Sequence, residues 1–337
     1  MRRKRTKTTT TTTLPAPAPA PVETQNRGNN LGINAGPSAS TTLLDACVDL
    51  GVKWVRVSHE SGWTGTISQL AATVTAAHVR GLRILQCVQN SGHTYLDPVK
   101  NAALNTFAVA CADTGVDALQ IGNEWNNRIF WTSPDVSIVP PLAQARLSVQ
   151  VAAAVRAKYP TLPMVTVGMS PAADPLNPWT WWPGFAGAYP AEMVQANWSG
   201  IGLHGFCYPE LATTNPIQWN PLRQAPTILN QAIAAGVQAP IWITEIGAPG
   251  FATNAPIIRG IALTEQRQAE CYRAYIEVLK QHETLGMRFP LVAFATMFDG
   301  QSATNAVEQG LGLRRADGTK KAAWDLVRAF ALEPAPA

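Results

Sequence analysis

Two glutamates stand directly after short apolar segments, a position where an unpaired carboxylate is costly. Glu124 lies in Gln-Ile-Gly-Asn-Glu-Trp, and Glu245 lies in Ile-Trp-Ile-Thr-Glu-Ile-Gly. Two carboxyl groups that face one cleft can cleave an acetal, because one protonates the leaving oxygen while the other, as an anion, meets the oxocarbenium-like carbon. Glu124 and Glu245 are therefore candidate catalytic residues if the fold brings them to the same cleft.

The segments that position these glutamates alternate between strand and helix from residue 31 onward. Apolar runs predict strands at Leu31–Ile33, Lys53–Val57, Leu82–Val88, Ala118–Ile121, Met164–Met169, Ile201–Leu203, Ile241–Thr244 and Leu291–Thr296. Segments of helical period predict helices at Thr41–Leu50, Ser68–Arg80, Val99–Asp113, Leu142–Lys158, Ala191–Ala196, Gln224–Ala235, Thr264–Gln281 and Ala322–Phe330. This α/β alternation predicts a single-domain (β/α)8 TIM barrel, in which helices surround a closed parallel sheet.

A doubly wound open sheet is the competing architecture, and it usually carries a Gly-rich phosphate loop after its first strand. Here the first strand is followed by Asn34-Ala-Gly-Pro-Ser, which lacks that pattern, so the barrel is favoured. Catalytic side chains of such barrels come from the C-terminal ends of the strands. Glu124 ends the fourth predicted strand and Glu245 the seventh, so we expect both carboxylates in one mouth.

Segments with polar side chains also lie at the C-terminal ends of other predicted strands. They are Trp54-Val-Arg56 on the second strand, Asn123-Glu124 on the fourth, Gly202-Leu-His204-Gly-Phe-Cys-Tyr208 on the sixth and Glu245 on the seventh. Together they resemble the 4/7 clan of retaining glycoside hydrolases, which are (β/α)8 barrels. The segment from Phe294 to Asp325 resembles the C-terminal part of bacterial cellulase-like and β-xylosidase-like members. The resemblance covers nearly the whole body of the chain.

The resemblance implies a role for each of these residues. Glu124 matches the acid/base of the clan and Glu245 its nucleophile. Asn123 matches the residue that hydrogen-bonds the sugar 2-hydroxyl, and Arg56 matches the guanidinium that holds the nucleophile as an anion. His204 matches a histidine that binds the substrate or the acid/base side of the site. The expected substrate is a carbohydrate with a β-glycosidic bond.

Two positions depart from the clan pattern. Phe206 stands where the clan has a tyrosine that contacts the nucleophile, and Tyr208 is the nearest substitute. The platform tryptophan of the eighth strand is absent from Ala293-Phe-Ala-Thr-Met-Phe298, where Phe294 or Phe298 is the candidate for an apolar floor. These departures bear on substrate preference more than on reaction type.

Eleven tryptophans are many for 337 residues, and several follow predicted strands. Trp125 follows the fourth strand, and Trp181 lies in Asn177-Pro-Trp-Thr-Trp-Trp-Pro after the fifth. Because indole faces pack against the C–H faces of sugar rings, we predict that Trp125 and Trp181 contribute to substrate binding. The alternative is that these rings only pack the loops against the barrel.

No cofactor and no metal are predicted. A metal-dependent hydrolase needs His-x-His or a His/Asp set at several strand ends, and the five histidines lack such spacing. The five cysteines form no C-x-x-C pair, and Cys207 is kept as a residue that could line the site. Asp299, after the eighth strand, is either a loop anchor or a contact to the substrate.

A second class of function stays open, namely a carbohydrate-binding barrel of low catalytic activity that is a component of a larger assembly such as a viral tail. A pure binder has no need of two facing carboxylates, so Asn123, Glu124 and Glu245 favour the enzyme. A hydrolytic tail component would satisfy both interpretations.

The termini differ in composition from the body. Five of the 26 Lys and Arg lie within residues 1–7, which leaves 21 against 22 Asp and Glu, so no nucleic-acid partner is expected. A Thr tract and Pro-Ala repeats follow, without the apolar core of a Sec signal. We predict an unstructured arm at residues 1–27, the barrel at 28–331 and a tail at 332–337, with tethering through the arm as a possible role. No membrane span is expected, and the localisation stays open between cytoplasmic, virion-associated and non-classically exported.

Overall fold

The computed structural model describes residues 26–62, 65–90, 97–125, 141–170, 197–217, 220–301 and 305–336. Its strands are β1 Leu31–Gly36, β2 Trp54–Ser61, β3 Arg83–Asn90, β4 Ala118–Ile121, β5 Met164–Val165, β6 Ile201–His204, β7 Ile241–Ile246, β8 Ile257–Ile258, β9 Ile261–Ala262 and β10 Val292–Ala295. Its helices are α1 Thr41–Leu50, α2 Thr66–Val79, α3 Pro98–Asp113, α4 Pro141–Arg156, α5 Pro221–Ala234, α6 Glu265–Thr284 and α7 Ala322–Leu332. Among these helices none combines the length and the apolar character that crossing a bilayer requires.

The predicted (β/α)8 barrel is confirmed. Eight strands pair side by side in the order β5-β4-β3-β2-β1-β10-β7-β6, and every one of these pairings is parallel. Isolated parallel bridges from Val165 to Gly200 and from Met169 to Leu203 close the sheet between β5 and β6. The closed sheet brings the C-terminal ends of all eight strands to one mouth.

Most predicted elements agree with the structure to within a few residues. The fifth strand is shorter than expected, since regular pairing covers only Met164–Val165 and single bridges continue it at Gly168 and Met169. The predicted helix Ala191–Ala196 lies outside the described residues. The β8–β9 hairpin was not predicted, because strands of two residues are too short to show a periodic pattern.

The lower half of the barrel interior is an apolar layer. It is a separate buried cluster that consists of Trp54, Leu85, Ala118, Val165, Trp242, Leu291 and Ala293. The rings of Trp54 and Trp242 meet edge to face with centroids 5.7 Å apart. Gly200 makes room for the ring of Trp242, which a Cβ would overlap, and Gly32 allows the close approach of Cβ and the carbonyl oxygen of Trp54. This layer forms a dry floor below the polar residues of the mouth.

The first and the last of the described residues contact each other and the outer helices at the opposite end of the barrel from the mouth. Asn26 forms an antiparallel bridge with Pro334, and the Arg27 guanidinium forms salt bridges with Glu283 and Glu333. Arg27 also stacks on the ring of Phe330, 4.9 Å from its centroid. Asn26 and Arg27 of the predicted arm and Glu333 and Pro334 of the predicted tail thus have contacts with the body, while the arm itself stays a prediction.

A buried lysine fastens the segment after β10 to the barrel. Lys321 Nζ donates to the carbonyls of Gly250 and Gly310 at 2.7 and 3.1 Å and pairs with Asp299 Oδ1 at 2.6 Å. Burial raises the pKa of Asp299 and lowers that of Lys321, whereas their mutual contact opposes both shifts. Of the two alternatives for Asp299, these contacts favour the loop anchor.

Replacement of Lys321 by Met is expected to destabilise the protein by about 3 kcal/mol, because it leaves the Asp299 carboxylate without its cation in a largely buried place. Urea denaturation measures the change. Lys320→Met is the matched control, since Lys320 forms an exposed salt bridge with Asp49 whose loss costs at most about 1 kcal/mol. Equal stability of the two variants would contradict an anchoring role.

Candidate active site

Glu124 and Glu245 lie at the same mouth of the barrel, as the sequence predicts. Glu124 follows β4 with a positive φ of 49°, and its N–H donates to the carbonyl of Gly168 at 2.8 Å. Glu245 lies in β7 opposite His204 of β6, where the register shifts. The two side chains are 12 % and 16 % exposed, so both carboxylates are accessible from the mouth while most of their surface is buried.

Arg56 is the centre of a buried hydrogen-bond network below the carboxylates. Its Nη1 lies 2.5 Å from Glu245 Oε1 and 3.2 Å from Asn34 Oδ1, and its Nη2 lies 2.7 Å from Asn123 Oδ1. Its Nε donates to Gln120 Oε1 at 2.7 Å. Because four acceptors hold the guanidinium, its position is fixed, and it forms an ion pair with Glu245.

Gln120 and Thr244 support this network and were missed in the sequence. Gln120 Nε2 donates to Thr244 Oγ1 at 2.9 Å, so the amide joins Arg56 to β7. Both residues are fully buried. The sequence does contain a signal for both, namely a polar side chain inside an otherwise apolar strand. Gln120 lies four residues before Glu124, and Thr244 lies directly before Glu245.

His204 lies between the two carboxylates. Its Nδ1 is 2.7 Å from Glu124 Oε1 and 3.8 Å from Glu245 Oε2, and its ring is completely buried. The shorter contact is a hydrogen bond if the proton is on Nδ1, which the acceptor favours. Gly168 covers the other side of the ring, where a Cβ would overlap Nε2. His204 therefore fixes Glu124, while Arg56 fixes Glu245.

The separation of the carboxyl groups is short. One oxygen of Glu124, one oxygen of Glu245 and one ring nitrogen of His204 all lie within 4.8 Å of one another. Two carboxyl groups about 5–5.5 Å apart are typical of retaining glycosidases, whereas inverting enzymes keep them about 6.5–9.5 Å apart. The nearest oxygens of Glu124 and Glu245 are thus at most 4.8 Å apart, and the retaining geometry stays a prediction.

The same three side chains have the composition of a possible metal-ligand set. However, the guanidinium of Arg56 is already 2.5 Å from Glu245 Oε1, and a second cation beside it is electrostatically unfavourable. Charge alone thus argues against a metal ion at this carboxylate. The expected absence of a metal stays a prediction.

Trp125 does not fit its predicted role in substrate binding. Its side chain is 0 % exposed and packs against Gly122, whose φ of 93° and lack of a Cβ leave room for the indole ring. A ring with no exposed face cannot stack on a sugar, so this prediction is wrong and the packing alternative applies. The other tryptophan of that prediction, Trp181, lies outside the described residues.

Two further candidates also belong to the core. Phe294 is fully buried and stacks on Tyr272 with ring centroids 5.7 Å apart, so it points to the helices rather than to the mouth. Cys207 is buried, and its thiol donates to Asn220 Oδ1 at 3.0 Å. Burial raises the pKa of this thiol. Neither residue lines the site.

Tyr208 and Phe298 are both partly exposed near the mouth. The Tyr208 ring lies edge to face with Phe206, which in turn lies 6.4 Å from the ring of His204. Burial, followed by the charges of Glu308 and Glu124, raises the pKa of Tyr208 to about 12. Tyr208 therefore lies on the side of Glu124, and no hydrogen bond joins it to Glu245 among the described residues. Phe298 follows β10, and its N–H donates to Gln301 Oε1 at 3.2 Å.

No protein-family model matches this sequence, and no curated protein matches it significantly. Solved structures do match it. A family 39 glycoside hydrolase from Bacteroides cellulosilyticus WH2 aligns with a TM-score of 0.63 and 15 % identity, over 91 % of this chain and 64 % of that one. The chain therefore shares its (β/α)8 barrel fold with this enzyme. Two further solved structures align with the same barrel.

The family 51 α-L-arabinofuranosidase AbfB from Bifidobacterium longum aligns with a TM-score of 0.61 and 15 % identity, over 93 % of this chain and 74 % of that one. The exo-β-1,4-mannosidase Op5Man5 from an Opitutaceae bacterium aligns with a TM-score of 0.55 and 18 % identity, over 90 % and 59 %. This barrel spans less than two thirds of the length of the family 39 enzyme and of the mannosidase. At such low identity the likeness concerns the fold.

Proposed function

We propose that this protein is a retaining glycoside hydrolase of the 4/7 clan, with similarity to its cellulase-like and β-xylosidase-like members, that cleaves β-glycosidic bonds by double displacement. The observation that carries the proposal is the pair of carboxylates at one mouth, with oxygens within 4.8 Å of each other and with different partners. The glycoside hydrolase neighbours support the same reaction class.

In the first step Glu245 attacks the anomeric carbon while Glu124 protonates the leaving oxygen. Arg56 suits Glu245 to this role, because its guanidinium at 2.5 Å pairs with the carboxylate and orients it. Glu124 has His204 as its partner instead of a permanent cation. A proton on Oε2 of Glu124 leaves the bond from His204 to Oε1 intact, so this carboxyl group can act as an acid.

In the second step Glu124, now ionised, removes a proton from the water that attacks the glycosyl-enzyme. The sugar is then released with its original configuration, and Glu124 regains its proton. Asn123 is held by Arg56 through Oδ1, and its amide NH2 group, which has no hydrogen-bond acceptor among the described residues, can donate to a sugar 2-hydroxyl. No step requires a metal or a cofactor.

The substrate-binding set proposed here consists of Asn123, Arg56, His204, Tyr208 and Phe298, together with Trp181. Arg56 and His204 act chiefly through the carboxylates that they contact, because both are almost completely buried. Tyr208 and Phe298 offer partly exposed rings near the mouth. The carbohydrate is the only proposed partner, and tethering through the N-terminal arm remains a proposal.

The alternative, a carbohydrate-binding component of a larger assembly, explains the geometry less well. A binding site has no reason to hold two carboxylates so close to each other, since their repulsion is costly. Catalysis needs two carboxylates in different environments. Here Glu245 pairs with Arg56, whereas Glu124 contacts His204. The enzyme is therefore the preferred proposal.

The stereochemistry of the product tests the mechanism. Purified protein is screened with aryl β-glycosides and β-linked polysaccharides, and the anomeric protons of the first product are followed by NMR. We expect the β-anomer to appear first and the α-anomer to follow by mutarotation. If the α-anomer appeared first, the enzyme would be inverting, and the role of Glu245 as a nucleophile would be wrong.

A further inference from the structure

A polar pair that the mechanism does not use lies on the rim of the mouth. Glu60 and Gln89 are directly opposite each other on β2 and β3. Gln89 Nε2 donates to Glu60 Oε1 at 3.2 Å. Both residues stand near the C-terminal ends of their strands, the end of the barrel that carries the proposed catalytic carboxylates.

The strand register shows which way this pair faces. β2 and β3 pair without a shift from Trp54 to Ser61, so alternate residues share one face. Arg56 points into the barrel because it reaches Glu245, and Glu60 has the same parity. Residues of the opposite parity point outward, since Ser61 contacts Asn90, which contacts Asn101 of α3. Glu60 and Gln89 therefore face the axis of the barrel.

The height of the pair above the reaction centre follows from strand geometry. Glu60 is four residues beyond Arg56, which corresponds to about 13 Å along the strand and about 10 Å along the axis of a barrel whose strands tilt by about 36°. Arg56 Nη1 contacts Glu245 Oε1 at 2.5 Å. The pair therefore lies nearer to the opening of the mouth than the backbone of Arg56 does.

Glu60 and Gln89 present acceptor oxygens to the mouth, and Gln89 Oε1 has no donor among the described residues. Gln89 is 9 % exposed, and its Oε1 is buried without a hydrogen-bond partner in the described part of the chain. Reversing the amide would place this oxygen against the carboxylate, so the charge of Glu60 fixes its orientation. Burial raises the pKa of Glu60, and no Lys or Arg forms a salt bridge with it among the described residues. An incoming group that donates hydrogen bonds would complete this cluster.

We propose that Glu60 and Gln89 form a sugar-binding subsite that accepts hydrogen bonds from the hydroxyl groups of a neutral sugar unit and rejects units that carry a carboxylate. Rejection follows because a uronate would meet the Glu60 carboxylate with no cation between them. The inference rests on the proposed glycosidase function and adds a substrate class to it. It favours neutral β-glycans over polyuronates and β-glucuronides.

The test compares Glu60→Gln with the wild type on neutral β-linked oligosaccharides and on the matched oligosaccharides with a uronic acid unit. We expect KM for the neutral substrate to rise about tenfold with kcat nearly unchanged, because a charged acceptor far from the bond is lost. We also expect the kcat/KM ratio of uronic to neutral substrate to rise at least about tenfold. Glu277→Gln, on the exposed face of α6, is the matched control and should change neither value.

The outcomes separate the two proposals. If the wild type cleaves neutral glycans and Glu60→Gln leaves both KM and the ratio unchanged, the subsite is wrong while the glycosidase stands. A wild-type preference for uronic substrates, or for cationic amino sugars, would also overturn the assignment to neutral sugars. If the wild type neither cleaves nor binds any glycan in calorimetric titration, both proposals fail.

Discussion

Glu245→Gln is expected to abolish turnover of every substrate, with a loss in kcat of roughly 10⁵-fold, because removal of a nucleophile costs about that much in enzymes with covalent intermediates. The amide has almost the same shape as the carboxylate, so the mouth keeps its form. Initial rates with an aryl β-glycoside measure the loss. A variant that kept more than a tenth of wild-type kcat would rule out Glu245 as the nucleophile.

Stability has to be measured beside activity for this variant. Arg56 is buried and loses its anionic partner when Glu245 becomes neutral, so some destabilisation is expected. Circular dichroism below the melting temperature of the variant separates unfolding from a chemical defect.

Chemical rescue of Glu245→Gln by azide gives a second, independent measurement. A small anion can replace the missing carboxylate only from the opposite face of the sugar, so the rescued product is the α-glycosyl azide.

Glu124→Gln is expected to show a different defect, because it removes proton transfer and leaves the nucleophile in place. An aryl glycoside with an acidic phenol leaves without much assistance, so the first step survives and glycosyl-enzyme accumulates. The steady-state rate should fall by about 10²–10⁴-fold, the usual contribution of general acid–base catalysis. Azide needs no deprotonation and should restore turnover, with the β-glycosyl azide as product.

The configuration of the two azide products decides the assignment. A β-azide from the Glu124 variant and an α-azide from the Glu245 variant agree with the roles proposed here. The opposite pattern would exchange the roles of the two residues. The contacts favour the first pattern, because the guanidinium of Arg56 pairs with Glu245 and the ring of His204 bonds to Glu124.

Several residues of the site were predictable because their signals are local. Asn123, Glu124 and Glu245 follow apolar strands, and a polar residue at a strand end is visible in a single sequence. Arg56 and His204 were recognisable by resemblance, and the structure brings both into contact with the glutamates. Their catalytic roles remain predictions that the variants above test.

The errors concern side chains whose surroundings come from distant parts of the chain. Trp125 follows a strand at the mouth, yet its ring turns into the space that Gly122 leaves open. Phe294 turns outward to Tyr272, because parity along β10 places it on the helix side. The direction in which each of these two side chains points cannot be predicted from composition or aromatic content, since it depends on the register of the closed sheet.

The sequence by itself determined the strand–helix alternation, and with it the barrel, because each unit has its own hydrophobic period and each strand end carries its own polar residues. Only the tertiary structure decided how close the carboxylates lie, which polar residues support Arg56 and which aromatic rings remain exposed. These properties depend on contacts between residues far apart in the chain, such as Arg56 with Glu245 and His204 with Glu124. These contacts form only when the sheet closes, because closure fixes the register of the strands and which side chains of each strand point into the barrel.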